Sequence, residues 1–463
     1  MTQAPALRRR VQAIAAISCG TALVVIDGAI ATVALPTIAR DLHVDPASAV
    51  SVVTVYQLVL VMLLLPFSGL GDRIGLKRLY QIGQLVFTAA TILCFFAKSL
   101  PFLLIVRAAQ AAGAAATLSV ASALIRRIYP PEQLGRGLGI NSVVVSSAAA
   151  LAPTLGGLVL AVGPWPWVFA SAVPFAVFSL LLGRALPESE RSTEPFDLLG
   201  ALLCAAMFGL VIGGLESAVH GDSPVVSAGI VVAGIVIAIL FVRRERDEPR
   251  PILPIDLLGR PVLALSTIGA FTAFIATMTT LLSLPFRLQH VYGFEPSEVG
   301  AVLAPWPLTT MVVAPLAGAL SDRYPAGALG GVGMAVAVAG LVSLAFLPAD
   351  PSWFDIAWRM SLSGAGFGLF LSPNARLIIG SAPVQRAAAA GGLISTTRMV
   401  GQTTGATLVA ALLAIGLGGG MVPPMIAAGL ALVAGLCSVA RLNPAIRNPR
   451  AQETDDAQPA QVR

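Results

Sequence analysis

The chain has 463 residues, of which 56% are hydrophobic and 11% charged, with a formal net charge of +6. A water-soluble domain carries about 25% charged residues, so this chain cannot cover a globule with charge, and a soluble enzyme, a nucleic-acid binder and a secreted disulfide scaffold are excluded. Apolar runs of ~20 residues, the length a bilayer-spanning helix needs, recur almost throughout and predict an all-α membrane protein.

In chain order the runs give fourteen spans, over 12–35, 49–69, 79–97, 101–125, 138–162, 166–186, 198–217, 224–242, 262–285, 298–319, 328–347, 354–379, 388–415 and 421–440. Arg8, Arg9 and Arg10 ahead of the first run imitate a secretory signal. An acidic residue within the run, no Ala-x-Ala cleavage site and thirteen further spans predict an uncleaved helix instead. With the N-terminus inside, 22 of the 29 basic residues fall on the cytoplasmic side, Arg40, Lys98 and Arg287 fall opposite, and four lie within spans. That asymmetry follows the positive-inside rule, so the net charge reads as a topology signal and both termini are expected in the cytoplasm. Arginine-rich loops, abundant alanine and the lack of an Asn-x-Ser/Thr acceptor point to a bacterial cytoplasmic (inner) membrane.

Enzyme chemistry finds no support. Cys19, Cys94, Cys204 and Cys437 are scattered through apolar segments and read as packing residues. His43, His220 and His290 all fall in short loops, and the H-E-x-x-H, G-x-S-x-G and G-x-x-x-x-G-K patterns do not occur. No metal, ATP or other cofactor is expected.

The two halves of the chain echo each other. Gly69, Asp72 and Arg73 after the second span recur as Gly318, Asp322 and Arg323 after the tenth, with the leading glycines 249 residues apart. Arg107 in span 4 recurs as Arg359 in span 12, each ahead of a run of small residues. The offset maps spans 1–6 onto 9–14 and leaves spans 7 and 8 as an inserted pair. The expected units are an N-terminal six-helix bundle over 1–186, the pair and its charged linkers over 187–261, a C-terminal six-helix bundle over 262–441 and a tail over 442–463. Parallel repeats of this kind are the ground plan of transporters that rock two halves about a midplane site.

Four motifs then carry a resemblance. Ile26 and Asp27 followed by Ala34, Leu35 and Pro36 resemble the first-helix motif of the fourteen-helix drug:proton antiporter branch of the major facilitator superfamily. Gly69, Asp72, Arg73, Gly75, Lys77 and Arg78 closely match that superfamily's loop motif between helices 2 and 3. Arg107, Gln110 and Gly113 resemble its fourth-helix motif, with Ala111 where glycine is usual. Pro153, Gly156 and Gly157 resemble the fifth-helix antiporter motif, with Ala148 and Ala152 in place of glycines. The span pattern extends the resemblance over the whole chain, although the motifs lie in its first 160 residues. It implies a major-facilitator fold, multidrug efflux in exchange for protons, and a cytoplasmic gate in which Asp72 and Arg73 latch the two halves.

Asp27 is the sharpest single feature, because a carboxylate within a span is costly and functional by default. It lies ~12 Å below the outer end of its span, and Arg107 lies ~9 Å below the outer end of span 4. Two readings stay open: an ion pair that locks two helices, or a proton and substrate site facing a cavity. Glu216, near Asp222 and His220 at the outer end of span 7, reads as an acid that reaches water. The glycines around Asp72 suit a tight turn, and Pro153, Gly156 and Gly157 suit a bend and close helix approach. Tyr56, Gln57, Trp306, Asn374 and Arg398 are polar or amphipathic groups deep in spans, expected in the bundle interior or facing a cavity, and Pro305 and Pro307 around Trp306 predict a break in span 10.

The expected function is a proton-coupled antiporter that exports small lipophilic cationic drugs or biocides by alternating access. A lone carboxylate attracts cations strongly where water is excluded, whereas a lasting Asp27–Arg107 pair would favour neutral or zwitterionic cargo. The expected partners are the cargo, protons and the lipid bilayer, with the protein a monomer. An exporter of an endogenous metabolite is the first alternative and a channel the second.

Overall fold

The computed structural model describes residues 7–129, 134–188, 196–219, 223–246, 258–321, 323–381 and 387–443. Its helices are α1 (Leu7–Asp41), α2 (Pro46–Ile74), α3 (Leu76–Leu93), α4 (Leu100–Ile128), α5 (Leu134–Val162), α6 (Pro166–Ala170), α7 (Val173–Leu182), α8 (Leu198–Val219), α9 (Pro224–Arg246), α10 (Pro261–His290), α11 (Pro296–Leu303), α12 (Pro305–Leu320), α13 (Ala326–Ala345), α14 (Trp353–Ser381), α15 (Ala387–Ala414) and α16 (Val422–Ala440). The pairs α6–α7 and α11–α12 each continue as one rod, so the described helices form fourteen rods at the expected places. Among the described residues eleven rods are long and apolar enough to cross a membrane. The other three, α5, α14 and α15, match them in length at 29, 29 and 28 residues.

The rods start and stop for local reasons. Prolines open α2, α4, α10, α11, α12 and α16, where the missing N–H has no intrahelical partner to lose. Asp45 caps α2 by accepting the Ser48 N–H at 2.9 Å, and Glu295 with Glu298 forms a capping box on α11. Asp197 caps α8 by accepting the Gly200 N–H at 2.9 Å. These caps sit at rod ends, where water can solvate them.

Tertiary packing carries the same repeat as the sequence. The internal prolines of α1 and α2, Pro36 and Pro66, recur in α10 and α12 as Pro285 and Pro315, each 249 residues later. Helices α3 and α4 touch through Gly83 and Gly113, where an added Cβ on either would lie within 2.7 Å of the other's carbonyl oxygen. The same backbone contact joins α13 to α14 through Gly333 and Gly366. Without an oily driving force between helices in lipid, such close backbone approach is what holds them together.

The two bundles meet along three seams. On one, Gly157 of α5 faces Gly300 of α11, with added Cβ atoms blocked by backbone on both sides. On the second, Val33 of α1 packs with Ala273, Ala276 and Leu284 of α10. On the third, Leu60 and Val61 of α2 share a cluster with Met399 of α15 and with Cys204, Met207, Phe208 and Ile212 of α8. The inserted helix α8 therefore lies across the α2–α15 seam. Its partner α9 crosses it at Gly214 and Gly234 and turns Val225, Val232, Val236 and Leu240 outward. Exposed valine and leucine on a rod of this length suit lipid rather than water. An aspartate–arginine bridge ties the pair at its linker end: Arg244 donates to both Asp197 oxygens, at 2.6 and 3.0 Å.

Candidate functional site

The strongest polar cluster grows from α1 and α4. Asp27 and Arg107 are both fully buried, and Arg107 Nη1 donates to Asp27 Oδ2 at 2.6 Å. Gln110 lies one turn beyond Arg107 on the same face of α4. Its Oε1 accepts from Arg107 Nη1 at 2.6 Å, while its Nε2 donates to Asp27 Oδ1 at 2.9 Å and Thr91 Oγ1 at 2.8 Å. Arg107 Nε reaches the Val52 carbonyl of α2 at 3.3 Å. The guanidinium carbon sits 4.2 Å from the Tyr56 ring centre and 5.0 Å from that of Phe169. Among the described residues Arg107 Nη2 has no hydrogen-bond partner. The cluster thus ties α1, α2, α3 and α4 around one balanced pair of charges. In this conformation neither member is open to solvent.

Gln110 carries half the network, although in the sequence it was only a letter of the fourth-helix motif. Its spacing of three from Arg107 was the available signal.

The loop motif forms the hinge between α2 and α3. Gly75 has φ of 105°, a conformation that favours glycine, and its N–H closes onto the Gly71 carbonyl at 3.0 Å. An added Cβ at Gly71 would strike Val120 of α4 at 2.6 Å, and one at Gly69 would meet the Phe196 ring at 3.4 Å. Lys77 reaches Glu188 at 2.9 Å and the Arg184 carbonyl at 3.3 Å. Asp72, Arg73 and Arg78 lie exposed at the helix ends. The echoed Asp322 lies outside the described residues, as do His220 and Asp222.

The fifth-helix motif divides its work. Gly156 turns toward Ile30 of α1, whereas Gly157 and the Pro153 carbonyl face α11 of the other bundle. This motif therefore forms part of a seam between the halves.

The remaining candidates scatter. Tyr56 belongs to the Asp27 cluster. Gln57 spans the halves, with Nε2 3.9 Å from the Met278 sulfur. Trp306 sits at the break between α11 and α12, stacked on Phe367 at 5.0 Å and packed against Gly364. Asn374 donates to the Ser266 carbonyl at 3.0 Å and accepts from Arg441, which also holds Ser266 and Ser438. That knot fastens the ends of α10, α14 and α16, and Arg441, expected at the inner membrane edge, is buried within it. Arg398 is half-buried near the middle of α15.

Glu216 departs from the expectation of a solvated acid. Its two oxygens accept from Ser51 of α2 and Thr407 of α15, each at 3.2 Å. Helix α8 was expected outside the bundles, so nothing in the sequence placed its acid against both of them.

Comparison with known proteins adds an independent view. The model of the Major Facilitator Superfamily matches residues 17–406. An uncharacterized transporter, YebQ, of Escherichia coli K12 is 45% identical over 94% of this chain and 96% of its own. The riboflavin transporter RibZ of Clostridioides difficile is 28% identical, covering 82% and 83%. A tetracenomycin C resistance and export protein of Streptomyces glaucescens is also 28% identical, covering 86% and 75%. Among solved structures, a peptide transporter superposes with a TM-score of 0.70 at 17% identity over 94% of each chain, a likeness of fold alone.

Proposed function

The chain belongs to the Major Facilitator Superfamily, and we propose that within it this protein is a proton-linked antiporter that exports small organic compounds by alternating access. It is a multi-pass membrane transporter rather than an enzyme. The observation that carries the coupling step is the closed Asp27–Arg107–Gln110 network. A proton on Asp27 cancels the charge that Arg107 faces and weakens two charge-assisted hydrogen bonds. Proton occupancy is thereby tied to how α1 packs on α4.

Magnitudes set the order of events. Leaving one member of a buried ion pair uncompensated costs about 3–5 kcal/mol. One charge crossing 100 mV supplies ~2.3 kcal/mol. The proton alone does not open the network at that potential, so cargo binding contributes the remainder, which is the condition for exchange rather than leak.

In this reading the ends bearing the termini are cytoplasmic, the membrane is the bacterial inner membrane, and the protein works as a monomer. Asp72 and Arg73 latch the halves when that side closes. The Gly157–Gly300 contact seals the opposite side and parts when it opens. A relative named for export and resistance supports drug-like cargo, and one named for riboflavin transport supports a metabolite as the second reading. Attraction of lipophilic cations by Asp27 operates only in a state where Arg107 has let go.

The test is flux in everted membrane vesicles. An imposed inward-acid gradient should drive uptake of an exported dye, and cargo addition should release protons from the lumen. Uptake that ignores the gradient would refute the coupling.

A further inference from the structure

Among the described residues, the arginines deep in the membrane helices each hold at least one protein hydrogen-bond partner, with one exception. Arg107 holds Asp27 and Gln110. Arg287 donates to the Leu344 and Ala345 carbonyls, Arg359 to its own-helix Asp355, and Arg441 to Asn374 and Ser266. Arg376 donates to Ser321. Arg398 differs. Among the described residues it has neither a hydrogen bond nor an ion pair, although it is half-buried some eleven residues, ~16 Å, into α15. Gln402, one turn further along, is also half-buried and also lacks a partner among the described residues.

Neighbouring contacts fix the direction of this pair. A helix advances about 100° per residue, so residues four apart share a face. On one flank Gly401 and Gly405 press against α10, at Phe271, Phe274, Ile275 and Met278. On the other flank Met399 packs in the cluster of Leu60 and Val61 of α2. Arg398 and Gln402 lie between those flanks and so face the wedge between α2 and α10, one helix from each bundle. A half-buried guanidinium at such depth keeps its donors open to whatever enters the wedge, and an anion meets them in stronger, charge-assisted hydrogen bonds than water does.

We propose that Arg398 and Gln402 form the cargo's anion site, and that the exported compounds carry a carboxylate on an aromatic or apolar body. The fork of Arg398 takes the carboxylate in two parallel hydrogen bonds, the Gln402 amide adds a donor, and Phe271 and Phe274 flank the body. Because Asp27 is matched by Arg107, the charge that Arg398 brings to the wedge between α2 and α10 is not cancelled by that acid. The inference rests on the exporter reading for its physiological meaning, while binding itself requires no flux.

The experiment uses the full chain in lipid nanodiscs, with fluorescein anisotropy as the binding signal and 2-naphthoate, methyl 2-naphthoate and ethidium as competitors. Wild type should bind fluorescein, and 2-naphthoate should displace it at concentrations at least about tenfold below those of its methyl ester. Arg398→Gln should weaken fluorescein binding by about tenfold or more. Arg398→Lys keeps the charge without the fork and should fall between, and Gln402→Leu should lose a few-fold. The lysine and leucine variants keep the test intact if the glutamine variant does not fold. Absence of fluorescein binding in wild type, equal displacement by acid and ester, or wild-type affinity in both Arg398 variants overturns the site. Proton-driven flux, measured in parallel on vesicles, separates the two readings. Arg398-dependent binding without flux refutes the exporter and supports the site, whereas ethidium flux without anion binding supports the exporter and refutes the site.

Discussion

The N-terminal and C-terminal bundles share a frame and differ in where their charge sits. Gly83 against Gly113 and Gly333 against Gly366 make the same helix crossing, and the prolines of α1 and α2 recur in α10 and α12. Yet α1 supplies Asp27 to meet Arg107, while α10 contains no acid, and Arg359 turns instead to Asp355 of its own helix. Backbone packing tolerates little change, so the glycines stay symmetric. Buried charge is expensive wherever it occurs, so a balanced pair in one half need not be duplicated in the other. In the C-terminal bundle Arg398 is left without a counter-charge among the described residues, which is the difference the proposed anion site rests on.

The largest expected effect breaks the charge side of this comparison. Asp27→Asn leaves Arg107 buried without a counter-charge and should destabilise the protein by about 3–5 kcal/mol, read as a fall in thermal midpoint in detergent, and should abolish gradient-driven flux. Asp27→Asn with Arg107→Gln should regain most of the stability and none of the coupling. Restored coupling would move the proton site elsewhere.

The frame is tested next by Gly113→Val and Gly366→Val. Each forces a side chain onto a facing backbone and should cost about 1–3 kcal/mol, by similar amounts, if the two crossings are equivalent. Gly157→Leu, at the seam, should leave stability closer to wild type and favour the state in which α5 and α11 separate. The readout is faster thiol labelling of a cysteine placed at Ser297 than in the parent.

The smallest effect lies at the inserted pair. The bidentate Arg244 guanidinium beside Asp197 holds that carboxyl below its usual range despite partial burial. A depressed folded-state pKa gives stability that is present above the unfolded value of about 3.9 and is lost as pH falls through the folded one. Asp197→Asn should therefore lower the midpoint slightly at neutral pH, by no more than about 1 kcal/mol, and the difference from wild type should vanish in acid.

Much of this molecule was legible in the letters. Fourteen apolar runs became fourteen rods because helix length in a bilayer is set by a fixed thickness and by backbone groups that must be satisfied within the segment. Asp27 and Arg107 were placed at matching depth by residue rise alone, and the break beside Trp306 followed from its flanking prolines. Gly75 was legible as a turn, since a positive φ next to a helix end leaves few alternatives.

What the sequence did not decide was who faces whom. It left Asp27–Arg107 open between a lock and an exposed site, and only packing closed the pair with Gln110 and removed it from solvent. It read Glu216 as wet because α8 lies outside the repeat, and only the placement of α8 over the α2–α15 seam gave that acid Ser51 and Thr407. It grouped Asn374 with Arg398, though one is tied to Ser266 and Arg441 and the other has neither a hydrogen bond nor an ion pair among the described residues. Span position and residue type are one-dimensional properties fixed by hydropathy and helical rise, whereas the partner of a buried charge depends on helix rotation and neighbour identity, which tertiary contacts alone determine.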